Sequence, residues 1–435
     1  MDQQDYRKLV SGQATGLGSL LLRLLLAITA CPYSLVIRLR NLFYSKGWLK
    51  AHRVNAAVIS IGNITTGGTG KTPLVAWLCN EITQTSNLKT QNCQCAILTR
   101  GYKATQNAKS RKSPQGRLAA GWLAPLKTQN CFDEPAILAQ SCPGARVVVN
   151  PDRVAGAAEA TSLGANILIM DDGFQHRRLA RDLDIVTIDA TMPFGFGRML
   201  PAGLLREPIS ALKRADAVVI TRSDQVAETQ LTEIENEIRN IKTDIVITRS
   251  IHAPISVQYN EPVNISPHLV IPAHPVIPAH PVIPAKAGIH EGDKTMDSCL
   301  RRNDATTKQT RGNDNLEQLK HKKVFAFCGI GNPEAFLNTL KALGANLLGS
   351  AVFDDHHHYT QTCLNEISKQ AQHLKADLIL TTEKDWTKIA PLLTDEKRLP
   401  FAFLAVEIRF KTGEDKLRGL IERAITGRIH ANQTK

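Results

Sequence analysis

The stretch Gly62-Asn63-Ile64-Thr65-Thr66-Gly67-Gly68-Thr69-Gly70-Lys71-Thr72-Pro73 carries the most specific chemistry in the chain. Its glycines let successive backbone N–H groups curl around an anion. Lys71 can neutralise terminal phosphate charge, and the Thr72 hydroxyl can ligate Mg²⁺. The apolar residues 58–61 before it read as a buried strand, and Leu74, Val75, Trp77 and Leu78 after it as a helix face. This context predicts a P-loop for a nucleoside triphosphate, although Thr65 stands where the strict pattern has its first glycine. Thr65, Thr66, Gly67, Gly68, Thr69, Gly70, Lys71 and Thr72 are then the nucleotide-contacting residues.

Further along, the apolar residues 167–170 end in Asp171-Asp172-Gly173-Phe174-Gln175-His176. A buried strand delivering two carboxylates at its end is the layout of a Walker B element, which holds Mg²⁺ beside a P-loop. Gln175 and His176 can touch nucleotide or substrate from there, or fix the turn. Phosphoryl transfer to an alcohol also needs a proton acceptor near the nucleophile. Asp133-Glu134-Pro135, at the start of a helix, and Asp354-Asp355-His356-His357-His358 are the candidates. An Asp–His pair meeting across a cleft would orient the imidazole and raise its basicity. The plain alternatives are an N-cap for Asp133 and a surface loop for the histidines. Arg206 and Glu207 form an adjacent cation and carboxylate that could serve phosphate and Mg²⁺ or be a surface pair. Arg177, Arg178 and Arg181 suit an anionic substrate, or form a solvated helix face.

These residues need a scaffold that brings strand ends together. Residues 96–99, 146–149, 167–170, 185–188, 217–220 and 245–247 are short apolar runs separated by helical patterns. They predict a doubly wound, mostly parallel α/β sheet of the P-loop NTPase type over residues 51–255, with the site at the carboxyl ends of its strands. A smaller α/β lobe over 320–435 holds apolar runs at 324–328, 378–380 and 401–406 and a helix from Pro333 to Leu343. Between them, Val270-Ile271-Pro272-Ala273-His274-Pro275 repeats as Val276-Ile277-Pro278-Ala279-His280-Pro281, and again in part. Prolines at that density forbid helix and internal strand, so 266–314 is expected to be a disordered insert.

The N-terminal region 1–50 is strongly apolar between Leu17 and Ile28, broken by Arg23, and then interleaves Arg38, Arg40 and Lys46 with leucines and aromatics. No uncharged run reaches the roughly 18–20 residues of a spanning helix. The pattern predicts an amphipathic helix lying in the headgroup region of an anionic leaflet, a peripheral attachment. A helix docked on the protein's own core is the alternative. The formal net charge of +13 over 435 residues calls for an anionic partner. Nucleic acid is not favoured, because no zinc-finger spacing, recognition helix or aromatic-basic signature is present. Nine scattered cysteines without a Cys-x-x-Cys pair indicate reduced, mostly buried thiols.

Taken together, the motifs resemble those of the tetraacyldisaccharide 4′-kinase family of lipid A biosynthesis. The matching strings are Gly62 to Thr65 with Gly67 to Pro73, Thr99-Arg100-Gly101-Tyr102, Asp133-Glu134-Pro135, Asp171 to His176, Leu200-Pro201-Ala202-Gly203, Leu205-Arg206-Glu207-Pro208, Asp355-His356 and Thr382-Glu383-Lys384-Asp385. The resemblance covers nearly the whole chain outside the proline repeat. It implies a membrane-associated kinase on the cytoplasmic face of the bacterial inner membrane. That kinase would transfer the γ-phosphate of ATP to the 4′-hydroxyl of a tetraacylated glucosamine disaccharide 1-phosphate, giving lipid IVA. By the resemblance, Thr69, Lys71 and Thr72 hold phosphates and Mg²⁺, and Asp171, Asp172 and Glu207 organise the metal. Asp133 is the base with His356 orienting it, and Gln175 and Arg206 assist at the phosphates. The rival is a membrane-attached P-loop regulatory ATPase; that class carries a lysine where this chain has Thr66.

Overall fold

The computed structural model describes residues 3–84, 93–101, 133–259, 316–393 and 399–433. The proline repeat at 266–314, Tyr102, and the side chain of Asp133 lie outside the described residues. In chain order the strands are β1 (Ala57–Asn63), β2 (Cys95–Thr99), β3 (Ala145–Val149), β4 (Ile167–Asp171), β5 (Leu183–Asp189), β6 (Ala217–Thr221), β7 (Val246–Tyr259), β8 (Lys323–Cys328), β9 (Asn346–Val352), β10 (Leu378–Thr382) and β11 (Phe401–Thr412). The helices are α1 (Gln3–Val10), α2 (Leu17–Ser45), α3 (Lys71–Gln84), α4 (Asp133–Ser141), α5 (Arg153–Ser162), α6 (Glu228–Ile241), α7 (Pro333–Ala342), α8 (Gln361–His373), α9 (Glu383–Ile389) and α10 (Glu414–Gln433).

All of these strands join one 11-stranded sheet in the order β3-β2-β4-β1-β5-β6-β7-β11-β10-β8-β9. Every pairing is parallel except β7 with β11. The apolar runs become strands because continuous Val/Ile/Leu can be buried on both faces of a helix-covered sheet. All residues of β1, β2, β4, β5 and β6 are buried. β3 is the exception: it is the edge strand, and only Val148 of its five residues is buried. β1 sits between β4 and β5, so the P-loop emerges at the middle of the first half, where strand order reverses.

The expected second lobe has cores of its own, around Phe327, Trp386 and Phe403 and around Leu340, Leu380 and Leu404. It is nevertheless continuous with the first half through the antiparallel β7–β11 ladder. β7 runs far beyond the expected 245–247. It accommodates Pro254 where the register shifts between Ala405 and Val406, since a proline lacking its N–H is tolerated at such an irregularity. β11 also outruns its expected end. Its Ile408 and the α10 residues Leu417, Ile421 and Ile425 pack in one cluster with Ile59, Leu74, Ile185 and Val219 of the first half.

At the N-terminus, α2 is one continuous helix of 29 residues containing Pro32. Among the described residues it is the one helix long and apolar enough to cross a membrane, with a mean hydropathy of 2.1 over its most apolar window. Leu21, Leu24, Leu25 and Ile28 point outward and are more than half exposed, so the alternative of a helix buried on the protein's own core does not hold. Its contacts with the body come from a polar edge. Tyr33 Oη donates to the Arg206 carbonyl at 3.0 Å, and Arg40 and Asn41 reach Glu207.

Candidate active site

The P-loop leaves β1 at Asn63 and enters α3 at Lys71. Gly70 adopts φ +82°, a region that favours glycine, and a Cβ there would lie 2.4 Å from Nε2 of His252 beneath it. The Thr69 hydroxyl hydrogen-bonds the Thr187 hydroxyl at 2.7 Å, and the Thr69 carbonyl accepts from the Thr221 hydroxyl at 3.0 Å. These bonds tie the loop to β5 and β6. The Thr66 N–H donates to the Leu204 carbonyl at 2.8 Å, which fastens it to the segment carrying Arg206. Thr65 through Thr72 all line one cavity of about 1090 Å³.

Two carboxylates arrive from the end of β4. Asp172 takes φ +50°, and its oxygens accept from Arg206 Nη1 at 2.9 and 3.2 Å and from Nη2 at 3.2 Å. Lys71 Nζ lies 3.5 Å from the same carboxylate. Burial pushes Asp172 up, but Lys71 and Arg206 outweigh it and hold the group well below the usual carboxylate range. Asp171 behaves oppositely. Burial, then Glu134 and Asp172, push it up to about 7 against the pull of Lys71 and Arg153. The buried Arg153 holds the turn by donating from Nη2 to the Asp171 carbonyl at 3.0 Å.

The opposite wall comes from the second half. Asp355 and His356 lie in the loop after β9, with His356 at φ +63°, and Lys384 projects from the first turn of α9. Lys384 Nζ donates to Asp355 Oδ1 at 3.0 Å, lies 3.4 Å from His356 Nε2 and pairs with Glu134 Oε1 at 3.5 Å. Burial raises Asp355, yet Lys384 and His356 lower it further, and it stays ionised. Lys384 therefore joins the Asp133-Glu134-Pro135 motif to the Asp355-His356 motif. Asp133 opens α4 beside Glu134, so the two expected partners sit on elements that meet at this lysine.

Not every expected residue faces the cavity. Glu207 is fully buried outside its lining. Its oxygens accept from Arg40 Nη2 at 2.9 Å, Asn41 Nδ2 at 3.1 Å and Arg214 Nη1 at 2.9 Å. Gln175 also stands outside, donating from Nε2 to the Asn63 carbonyl at 2.7 Å. Arg177 bonds the Asn41 carbonyl and lies over the Tyr44 ring, Arg181 pairs with Asp184, and Arg178 faces Asp152. Sequence reasoning gave no site role to Tyr6, Arg7, Arg153, His252 or Lys384, all of which line the cavity. For Lys384 a signal existed: a cation in the first turn of a helix opposes the helix dipole.

Among the described residues no group of three or more His, Cys, Asp or Glu is placed to hold a metal ion. That is no obstacle for Mg²⁺, which keeps several waters and takes one or two carboxylates together with substrate phosphates. The raised Asp171 beside Asp172 and the Thr72 hydroxyl fit that requirement, because a divalent cation offsets the repulsion between neighbouring carboxylates.

A P-loop and a paired-carboxylate strand end, facing an Asp–His–Lys cluster from a second half, define a P-loop phosphotransferase. The chain belongs to the tetraacyldisaccharide-1-P 4′-kinase family, whose model matches residues 22–426. It is 34% identical over 396 residues to the tetraacyldisaccharide 4′-kinase of Syntrophus aciditrophicus, covering 89% of each chain. It is 32% identical to that of Geobacter sulfurreducens, covering 93% of this chain and 94% of the relative. The crystal structure of LpxK from Aquifex aeolicus in complex with ATP superimposes with a TM-score of 0.58 at 26% identity, over 93% of this chain and 99% of that one. The chain is thus a kinase of lipid A biosynthesis with the α/β fold that the motifs predicted.

Proposed function

We propose that this chain uses MgATP to phosphorylate the 4′-hydroxyl of a tetraacyldisaccharide 1-phosphate, forming lipid IVA, at the cytoplasmic face of the inner membrane. The observation that carries the reading is the convergence of Lys71, Arg206, Asp171, Asp172, Asp355, His356 and Lys384 on one cavity. The ATP in the Aquifex structure and the names of the curated relatives support nucleotide and acceptor respectively.

In this reading the P-loop amides and Lys71 cradle the phosphates, while Arg206 holds Asp172 in position. Thr72, Asp171 and Asp172 would hold Mg²⁺, which when bound neutralises charge developing between the β- and γ-phosphates. Glu207 acts at one remove, by fixing the segment that carries Arg206. Asp133 accepts the proton of the acceptor hydroxyl and His356 orients it, with Lys384 setting the position of both motifs. The exposed leucines of α2 anchor the chain in anionic lipid, keeping the cavity close to an acylated substrate while ATP arrives from water.

The test is ³²P transfer from γ-labelled ATP to tetraacyldisaccharide 1-phosphate in detergent micelles. Labelled lipid formed by the wild type and lost in Lys71→Ala supports the reading. ATP hydrolysis without labelled lipid overturns it.

A further inference from the structure

Helix α1, ahead of the apolar α2, lies against the cavity. Tyr6 and Arg7 both line it. Tyr6 Oη donates to the carbonyls of Pro201 at 2.8 Å and Gly203 at 3.0 Å, on the loop whose next residues, Leu204 and Leu205, pair with the P-loop. Arg7 reaches across to the other half, donating from Nη2 to the Gly331 carbonyl. Gly331 packs tightly on the P-loop: a Cβ there would lie 2.3 Å from the Gly68 nitrogen. The same Arg7 Nη2 stands 3.4 Å from the position a Cβ on Gly67 would take.

The carboxylates around Arg7 already have cations. Asp189 pairs with Arg222 and also accepts from Asn332, and Asp355 pairs with Lys384. Among the described residues Arg7 itself forms no ion pair with a carboxylate, and its hydrogen bond goes to a neutral carbonyl. A guanidinium has five N–H donors in a rigid fork, so donors remain for an anion. The charge is half-buried and poised over glycines built to approach phosphate.

We propose that Arg7 binds the polyphosphate of the nucleoside triphosphate from the side opposite Lys71, making the segment ahead of the membrane helix part of the nucleotide site. This rests on the nucleotide reading of the P-loop. By bonding to both halves, α1 also holds the phosphate pocket at the distance that lets both cations reach one ligand.

The experiment uses the full chain in detergent micelles. Equilibrium binding of MgATP and of AMP is measured for wild type, Arg7→Ala, Arg7→Lys and Tyr6→Phe, alongside lipid phosphorylation. Arg7→Ala is expected to weaken MgATP roughly tenfold and leave AMP unchanged. Arg7→Lys should recover part of the loss, and Tyr6→Phe, which loosens α1 without removing the charge, should show a smaller one. Equal MgATP affinity in all four proteins overturns the proposal. So does a defect confined to the KM for the lipid acceptor, which would assign the guanidinium to the acceptor's own phosphate. A wild type that binds MgATP but labels no lipid sinks the acceptor assignment and leaves the Arg7 comparison readable. A wild type that binds no MgATP overturns both.

Discussion

Arg206 and Glu207 are consecutive residues that belong to two separate ion networks. Arg206 turns into the cavity and grips Asp172, whereas Glu207 turns away and is gripped by Arg40 and Asn41 of α2 and by Arg214. The backbone between them connects the exposed apolar helix α2 to the carboxylate beside the P-loop. A single peptide thus passes position from α2 to the cavity wall.

Glu207→Gln should act on stability and not on metal use. Removing a buried carboxylate leaves Arg40 and Arg214 facing each other without compensation, a loss of about 3 kcal/mol. Denaturant unfolding in micelles measures that loss, and the Mg²⁺ dependence of turnover should keep the wild-type midpoint. A raised Mg²⁺ requirement with unchanged unfolding would return Glu207 to the metal site.

Lys71→Ala removes the P-loop cation that lies 3.5 Å from Asp172. Turnover should fall by about 10²–10³, the scale for one preorganised charge in a dry site. Steady-state kinetics with labelled ATP read it, and a fall of less than fivefold would mean that Lys71 is not at the transferring phosphate.

Lys384→Met should lower kcat by about tenfold or more, because Asp355, His356 and Glu134 lose their common tether. MgATP binding should barely change. Asp133→Asn, His356→Ala and the double variant complete the set, and the combined loss should be far smaller than the product of the single losses. Multiplicative losses would show that the two residues act independently.

The Asp171 carboxyl is raised from the usual 3.8 to about 7 by burial and by its neighbours Glu134 and Asp172. Folded chain without added cation therefore binds more protons than unfolded chain between those values, and loses stability as pH rises through that window. Saturating MgATP should remove the slope, since cation and proton compete for the carboxylate. Thermal unfolding from pH 4 to 8, with and without MgATP, tests this, and Asp171→Asn should flatten the curve. An identical slope in the variant would locate the titration elsewhere.

Replacing Leu21, Leu24, Leu25 and Ile28 with serine strips the outward apolar face of α2. Each buried side chain contributes about 1.5–3 kcal/mol to transfer, so partition onto anionic vesicles should fall by more than tenfold. Co-sedimentation measures it. Unchanged partition would move membrane contact to another surface.

The strands that carry the P-loop and the paired carboxylates were legible because burial on both faces demands unbroken apolar runs, as in β1 and β4. β9 was not, since an edge strand with Asn346, Gly349 and Ser350 is only partly buried and has no such run. The expected β7 stops short because Thr248, Arg249 and Ser250 end the apolar run at 247, and Pro254 further on is tolerable only at the shifted register with β11. In the site, the glycine turn and the strand-end carboxylates followed from local spacing. The destination of Glu207 did not, because its partners Arg40 and Asn41 lie far away along the chain. Arg7 was silent for the same reason: a cation on a short N-terminal helix reads as surface until the fold brings Gly331 beneath it.

The return of β11 and α10 to the first half bears on how this chain is made. During synthesis, the ribosome releases β1, β5 and β6 long before Ile408, Leu417, Ile421 and Ile425 exist to cover them. The part of that sheet face not covered by α3 then waits for residues 408–425 to emerge. That core cannot be completed until residues 408–425 have been made, and a chain cut short before Ile408 would leave part of β1, β5 and β6 uncovered.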